Sequence, residues 1–226
     1  LVDDRVAMTG GFNVQDAYFG DPDVIESWQD LGLIIEGPAV AGVVAWFTAL
    51  DSWMNDRRPR FSQLRRLVRH WPRGEGALQW LVGGPTAVRS PWTRQLRQDL
   101  RGGRSVAIST AYFSPNAGVV RRLSRVARRE GLDMVLPAHS DNPATIGASR
   151  LLYGSLLRSG AHIAEFQRSR LHNKLVVIDE IVLIGSANLD MRSLYVNLEL
   201  MLRVEDAGFA DLCRRIIAAQ RALSEV

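Results

Sequence analysis

The sequence is short of cysteine and of lysine, and it has no long apolar run. Its one cysteine, Cys213, has no partner in the chain, which excludes an intrachain disulfide framework and any zinc site built on several thiolates. A buried thiol within the last helical pattern is its expected role. Of the 28 basic residues, 27 are arginine and one is lysine, Lys174, so the single position that kept an ammonium is informative. The longest apolar stretch, Pro38 to Leu50, is interrupted by Gly42 and Thr48 and is too short to cross a bilayer. We expect no leader peptide within these residues. The chain starts at Leu1 inside an extended pattern, and we expect Leu1 not to be the natural N-terminus.

What is present describes a globular protein. At 226 residues and 46% hydrophobic content the chain can bury one large core or two smaller ones. A formal charge of +4 and a pI near 9.8 give a mildly basic surface, suited to phosphates, anionic lipid headgroups or nucleic acid without choosing among them.

Along the chain, Leu1 to Thr9 alternates around Asp3-Asp4-Arg5 like a hairpin and runs into the turn Gly10-Gly11. An extended run, Leu31 to Glu36, closes at Gly37-Pro38, and a helix is expected from Ala39 to about Met54. The Arg-rich stretch from Asp56 to Gly76, with Arg57, Arg58, Arg60, Arg65, Arg66 and Arg69, reads as a linker. Beyond it strands and helices alternate: strand Leu78 to Val82, helix Pro91 to Leu100, strand Ser105 to Thr110, helix Asn116 to Glu130, strand Met134 to Leu136 and helix Ala144 to Arg158. Strands His162 to Phe166, Leu171 to Ile178, Ile181 to Ile184 and Val196 to Val204 follow, then a final helix from Ala207 to about Leu223. This order implies an α/β sandwich with a mixed sheet.

Two segments echo one another. Asp3, six residues and Gly10-Gly11-Phe12-Asn13 parallel Asp179, five residues and Gly185-Ser186-Ala187-Asn188. Each leads to an extended, acid-bearing segment, Trp28-Gln29-Asp30-Leu31 and Asn197-Leu198-Glu199-Leu200. Two related lobes are therefore expected, with the first incomplete: residues 1–75 as the remnant of one lobe plus the linker, and 76–226 as the other. In the second copy His172 and Lys174 lie two residues apart on an expected strand, so both face one side of the sheet. Lys174 offers a compact charge with three donors where guanidinium is a wide fork. Ser186 and Asn188 offer neutral donors to a phosphoryl oxygen, and the glycine before them permits close approach of the backbone.

Taken singly, each residue has an ordinary reading. A histidine at a strand start is usually structural, Gly-Ser-x-Asn is usually a turn, and Asp179 is most simply a hairpin residue. Taken together, His-x-Lys, four residues, Asp and a hairpin ending in Gly-Ser-x-Asn specify six positions on top of an internal echo. This pattern resembles the second His-Lys-Asp signature of the phospholipase D superfamily, and Asp3 to Asn13 resembles the tail of the first. Thr9 to Asn13, Trp28-Gln29-Asp30, Ile35 to Pro38, Tyr112 to Pro115, Ser140 to Pro143, Leu152-Tyr153-Gly154 and Gly185 to Ser193 resemble bacterial cardiolipin synthases, which join two phosphatidylglycerols and release glycerol.

The resemblance implies a phospholipase D-like α-β-α sandwich and a metal-independent, cofactor-free, two-step phosphatidyl transfer through a phosphohistidine. It implies His172 as general acid and then base, with Lys174, Ser186, Asn188 and Asn13 holding phosphate. It further implies Glu199 as the acid orienting His172, Asp179 and Asp3 as turn residues of the two motifs, and Asp30 as the partner of a first-lobe histidine. That histidine is expected before Leu1 in a His-x-Lys whose lysine precedes Asp3 by five residues, so these residues alone should be inactive. The implied partner is anionic phospholipid, phosphatidylglycerol, at the bacterial cytoplasmic membrane, peripherally or through an anchor outside this sequence, with no nucleic acid. A hydrolase or nuclease on another phosphodiester, or a catalytically dead lipid-binding fragment, is the alternative. Tyr112 is placed by the resemblance near the pocket, whereas His70 and His139 read as surface residues. Trp46, Phe47 and Trp53 read as a buried helical stripe rather than a bilayer-facing one.

Overall fold

The computed structural model describes residues 1–21, 24–86 and 89–225. Its centre is an eight-stranded sheet in the order Ser224–Glu225, Ala161–Phe166, Leu132–Pro137, Val106–Thr110, Lys174–Ile178, Ile181–Gly185, Glu199–Glu205, Leu78–Gly83. The Val106, Leu132 and Ala161 strands run parallel, and every pairing from Val106–Thr110 across to Leu78–Gly83 is antiparallel. The run Leu175-Val176-Val177-Ile178 makes the central strand because it has no polar face to offer water. Val176 and Ile178 enter one core, with Trp92, Leu123 and Leu156 of the helices Pro91–Gly102, Ala117–Ala127 and Pro143–Leu157. Leu175 and Val177 enter the other, with Cys213 and Ile217 of the helix Ala207–Ala222 and Val40 and Val43 of the helix Val40–Met54. The result is an α-β-α sandwich.

Helix starts follow local chemistry. Ser90 caps the first by accepting from the Thr93 amide ahead of Pro91, Asn116 accepts from Val119, and Asp206 accepts from Phe209.

On the second face lies a two-stranded sheet, Val6–Gly10 against Gly32–Glu36, whose Ala7 and Ile35 share the core of the Leu175 side. Its register matches that of the Ile181 and Glu199 strands. Val6 faces Glu36 and Gly10 faces Gly32; Ile181 faces Glu205 and Gly185 faces Met201. The turns correspond as well, since Asp3 (φ 48°) and Asp179 (φ 49°) both take the left-handed conformation that Asp tolerates. Asp30 and Glu199 therefore occupy equivalent places, each two residues before the partner of the strand-ending glycine.

Several expectations need correction. The stretch 56–76 is not simply a linker: Phe61–Arg69 is an α-helix, because Leu64 and Val68, four residues apart, pack with Trp46 and Val82. The expected strand Leu171 to Ile178 is broken, with Arg170–Leu171 pairing beside Trp28–Gln29 and Lys174–Ile178 in the main sheet. The break leaves His172 and Asn173 outside both ladders. The strand expected from Val196 begins at Glu199, after a short helix Met191–Tyr195 capped by Asp190. Trp46 is buried and Trp53 half-buried, but Phe47 is exposed.

Asp179 stands at the far end of the Lys174–Ile178 strand, about 16 Å from Lys174 at the usual rise per residue. Its carboxylate accepts from the Arg104 and Ser105 amides at 2.9–3.1 Å. Asp179 thus ties a turn to the sheet, away from Lys174. Asp179→Ala removes those acceptors and places a Cβ-only side chain at positive φ. A loss of about 2 kcal/mol is expected, or roughly 4–8 °C in melting temperature, with anion binding at Lys174 unchanged when measured by calorimetry.

Candidate functional site

A cleft of about 440 Å³ opens at the end of the sheet where Lys174 begins its strand, Ile181–Gly185 ends and Glu199 starts. His172, Lys174, Ser186, Asn188, Glu199, Asn13 and Tyr112 line it, as does Arg192. Asp3 lies on its exposed turn, away from the cleft.

The residues are brought together by a short parallel pairing. Trp28–Gln29 runs beside Arg170–Leu171, and the His172 amide donates to the Gln29 carbonyl at 2.7 Å. The next residue, Asp30, consequently meets the imidazole. Its Oδ2 is 2.7 Å from His172 Nδ1 and 3.7 Å from Lys174 Nζ, with the carboxylate wholly enclosed. Lys174 Nζ stands 2.8 Å from the same ring nitrogen and also donates to the His172 carbonyl oxygen. A carboxylate can only accept and an ammonium can only donate, so Asp30 and Lys174 compete over Nδ1; because Lys174 also has the His172 carbonyl oxygen to donate to, the Asp30 contact favours the proton on Nδ1, which leaves the Nε2 lone pair for chemistry.

The imidazole is boxed by aromatic rings. Tyr18, Trp28 and Tyr112 meet it edgewise at centroid distances of 5.5, 5.1 and 6.3 Å. The Tyr18 hydroxyl is 3.1 Å from Nδ1 and accepts from Asn13 Nδ2 at 3.2 Å. Tyr112 turns its own hydroxyl to Asp141 at 3.1 Å. Gly11 makes the assembly possible: a Cβ there would lie 2.6 Å from both Asp30 Oδ2 and Lys174 Nζ.

The expected pairing of His172 with Glu199 is corrected by this geometry. Glu199 accepts from the Ser186 hydroxyl and, at 3.3 Å, from Asn197 Nδ2, whereas Asp30 holds the imidazole. Ser186 in turn accepts from the Leu200 amide at 3.0 Å, which fixes its oxygen beside the carboxylate. Asn188 Oδ1 is buried with no hydrogen-bond partner among the described residues, leaving polar capacity open toward the cleft. Among those residues no group of three or more His, Cys, Asp or Glu side chains is placed to hold a metal ion.

Electrostatics follow burial. Lys174 is pushed down to about 8, because desolvation outweighs the attraction of Asp30 and Glu199. Burial raises Glu199, against the hydrogen bonds from Ser186, Ser193 and Asn197. Burial with the nearby Asp30 charge pushes Tyr18 up to about 12, so it stays a neutral phenol. An ammonium, an imidazole with one nitrogen fixed, and amide and hydroxyl groups facing one space can hold a phosphoryl group and move a proton beside it.

Sequence reasoning did not identify Tyr18 or Arg192. Tyr18 reaches the site through the single-turn 3-10 helix Asp16–Tyr18, which no periodic pattern announces. Arg192 directly follows Met191, within the segment Gly185 to Ser193 already singled out.

A family model described as "Cardiolipin synthase, PLD-like domain" matches residues 96–220. A cardiolipin synthase of Geobacillus thermodenitrificans is 31% identical over 209 residues, covering 88% of this chain and 40% of that protein. Among solved structures, a phosphatidylserine synthase of Haemophilus influenzae superposes with a TM-score of 0.73 at 14% identity, over 100% of this chain and 61% of that one. Nuc, a phospholipase D family member from Salmonella typhimurium, gives 0.54 at 15% identity over 66% of this chain and 97% of its own. These two likenesses concern the fold. The chain spans less than half the length of the curated relatives it matches, 40% to 44%.

The position of Lys174 yields a test. An unfolded lysine keeps its proton to about 10.5 and the folded one to about 8, so the unfolded state binds more protons between these values. Relative to Lys174→Met, the wild type should therefore gain stability as pH rises from 8 to 10.5, by roughly 3 kcal/mol in all. Binding of sulfate, whose own charge is constant in this range, should weaken over the same rise. Urea melts and calorimetry at several pH values read both; a pH-independent difference in each contradicts the shift.

Proposed function

Because the chain belongs to the cardiolipin synthase family of phospholipase D-like domains, we propose that it carries one half of the active site of a phosphatidyltransferase that uses phosphatidylglycerol. The single observation that carries this reading is the 2.7 Å contact between Asp30 and His172 with Lys174 beside it, in a cleft that also holds Glu199. On this reading residues 1–75 and 76–226 belong to two related lobes, and the repeated register supports equivalent positions for Asp30 and Glu199 in them. Asp30 orients the histidine of the second lobe. By the same relation Glu199 orients the histidine of the first, supplied by residues outside this sequence.

The reaction then runs in two displacements. The first-lobe imidazole attacks the phosphodiester phosphorus, the phosphorus–glycerol oxygen bond breaks, and the leaving alkoxide takes the proton from His172 Nε2. Asp30 stabilises the imidazolium form of His172 before that transfer. In the second step the hydroxyl of another phosphatidylglycerol gives its proton back to Nε2 and attacks the phosphohistidine, and the nitrogen–phosphorus bond breaks. Free glycerol and cardiolipin result. Lys174 and the amides of Asn188 and Asn13 hold the phosphoryl oxygens as charge builds on them, with Ser186 fixed beside Glu199. The reaction takes place at the cytoplasmic membrane; among the described residues no helix is long and apolar enough to cross it.

Incubation of the protein carrying both lobes with phosphatidylglycerol vesicles, without added metal, should give cardiolipin and glycerol by mass spectrometry. His172→Ala should lower the rate by at least about 10²–10⁴-fold, the usual contribution of a positioned acid or base. Phosphatidic acid as the only product would mean hydrolysis instead of transfer. Absence of any product from the folded protein would sink the proposal.

A further inference from the structure

The Arg-rich stretch takes no part in the chemistry above, yet it is the most one-sided segment of the chain. Residues 57–73 contain seven arginines and no Asp or Glu. Within it the helix Phe61–Arg69 buries Leu64 and Val68, which leaves Arg65, Arg66 and Arg69 on its outer side. Among the described residues none of Arg57, Arg58, Arg65, Arg66 and Arg69 forms a salt bridge, so their charge is not cancelled locally. Of the acids that flank the stretch, Asp51 accepts from Asn55, Asp56 accepts from the Arg58 amide, and Glu75 forms no salt bridge among the described residues.

Two further features accompany the charge. A groove of about 670 Å³, larger than the His172 cleft, opens along this helix, lined by Arg60, Ser62, Gln63, Arg66, His70 and Trp71. Guanidinium, hydroxyl and amide donors over an aromatic wall are the donor set of a phosphodiester headgroup site. On this helix Phe61 is 66% exposed, edge-on to Trp53 at 6.1 Å, and on the helix that carries Trp53 the side chains of Phe47 and Met54 also face solvent, 58% and 55% exposed. Cations mixed with exposed aromatic and aliphatic groups suit the headgroup layer of an anionic bilayer, whereas a soluble phosphate would have no use for the apolar part.

The helix also adjoins the chemistry. Val68 and Leu198 both close on Gly84, where a Cβ would lie 2.8 Å from a Val68 methyl and 3.2 Å from a Leu198 methyl, and Leu198 directly precedes Glu199. We propose that the Phe61–Arg69 helix and its groove form a docking site for anionic phospholipid headgroups, seating the protein on the bilayer next to the cleft. This rests on the phosphatidylglycerol reading only for its purpose, and the surface itself is tested without turnover.

The test is sedimentation of the protein with phosphatidylcholine vesicles, with and without phosphatidylglycerol, alongside two charge-matched triple variants. Arg65→Gln/Arg66→Gln/Arg69→Gln removes three charges at the proposed site. Arg94→Gln/Arg121→Gln/Arg125→Gln removes three exposed charges on the helices packed against the other face of the sheet. At about fivefold per arginine, the first should weaken binding to anionic vesicles on the order of 100-fold, and the second should leave it within about twofold. Phe61→Ser should weaken it several-fold and remove quenching of tryptophan fluorescence by brominated lipid. Wild-type binding should fall as salt rises from about 0.1 to 1 M.

Equal loss in both triple variants would mean unspecific attraction of a basic protein and overturn the proposal. So would equal binding to pure phosphatidylcholine, or competition by free glycerophosphate at the vesicle-bound lipid's own concentration. Thermal melts of all variants separate binding loss from unfolding. Intact vesicle binding without lipid turnover would count against the proposed reaction and leave the docking surface standing.

Discussion

An ammonium group withdrawn from water has to be matched, and most of the site is arranged around doing so for Lys174. Its Nζ lies 3.7 Å from the Asp30 carboxylate, an attraction of about 4 kcal/mol at the effective dielectric typical of proteins. Loss of hydration is the larger effect, since Lys174 is nonetheless pushed down to about 8. Bringing Asp30 there requires Trp28–Gln29 to lie beside Arg170–Leu171, and it requires a residue without a side chain at position 11. The broken strand before Lys174 follows from the same demand. His172 and Asn173 leave the ladder so that the imidazole can face Asp30 while the lysine continues the sheet.

Much of this was legible in the sequence, and the rest failed for identifiable reasons. The apolar run from Leu175 to Ile178, the capped helices after Ser90 and Asn116, and the echo of Gly10 to Asn13 in Gly185 to Asn188 are local signals, and each has its structural counterpart. Which carboxylate meets which histidine is a long-range matter. Sequence matching placed Asp30 and Glu199 in equivalent positions, but it paired each acid with the histidine of its own motif and so gave Glu199 to His172, when docking of the two strand pairs delivers Asp30 from 142 positions away. The helix Phe61–Arg69 was obscured because its arginines dominate the composition while only Leu64 and Val68 carry the burial pattern. Tyr18 sits in a turn with no periodicity to read.

Most arginines, always charged and weakly hydrated, stand at the surface, apart from Arg203, buried against Asp99, and Arg192 in the cleft; the one lysine occupies the position where a compact cation must fit under Gly11. Glu199, fixed by Ser186 and raised by burial, has the acceptor capacity that a second imidazole would use. In the proposed function the cleft is half of a two-sided site, with each lobe lending its carboxylate to the other lobe's histidine.

That exchange is the central claim, and the tautomer of His172 reports it directly. Long-range proton–nitrogen correlation spectra of the protein labelled with ¹⁵N at histidine should show His172 protonated at Nδ1 when neutral. Asp30→Asn should abolish that preference, and Glu199→Gln should leave the His172 signals unchanged. A spectrum in which Glu199→Gln alters the His172 tautomer while Asp30→Asn does not would contradict the account.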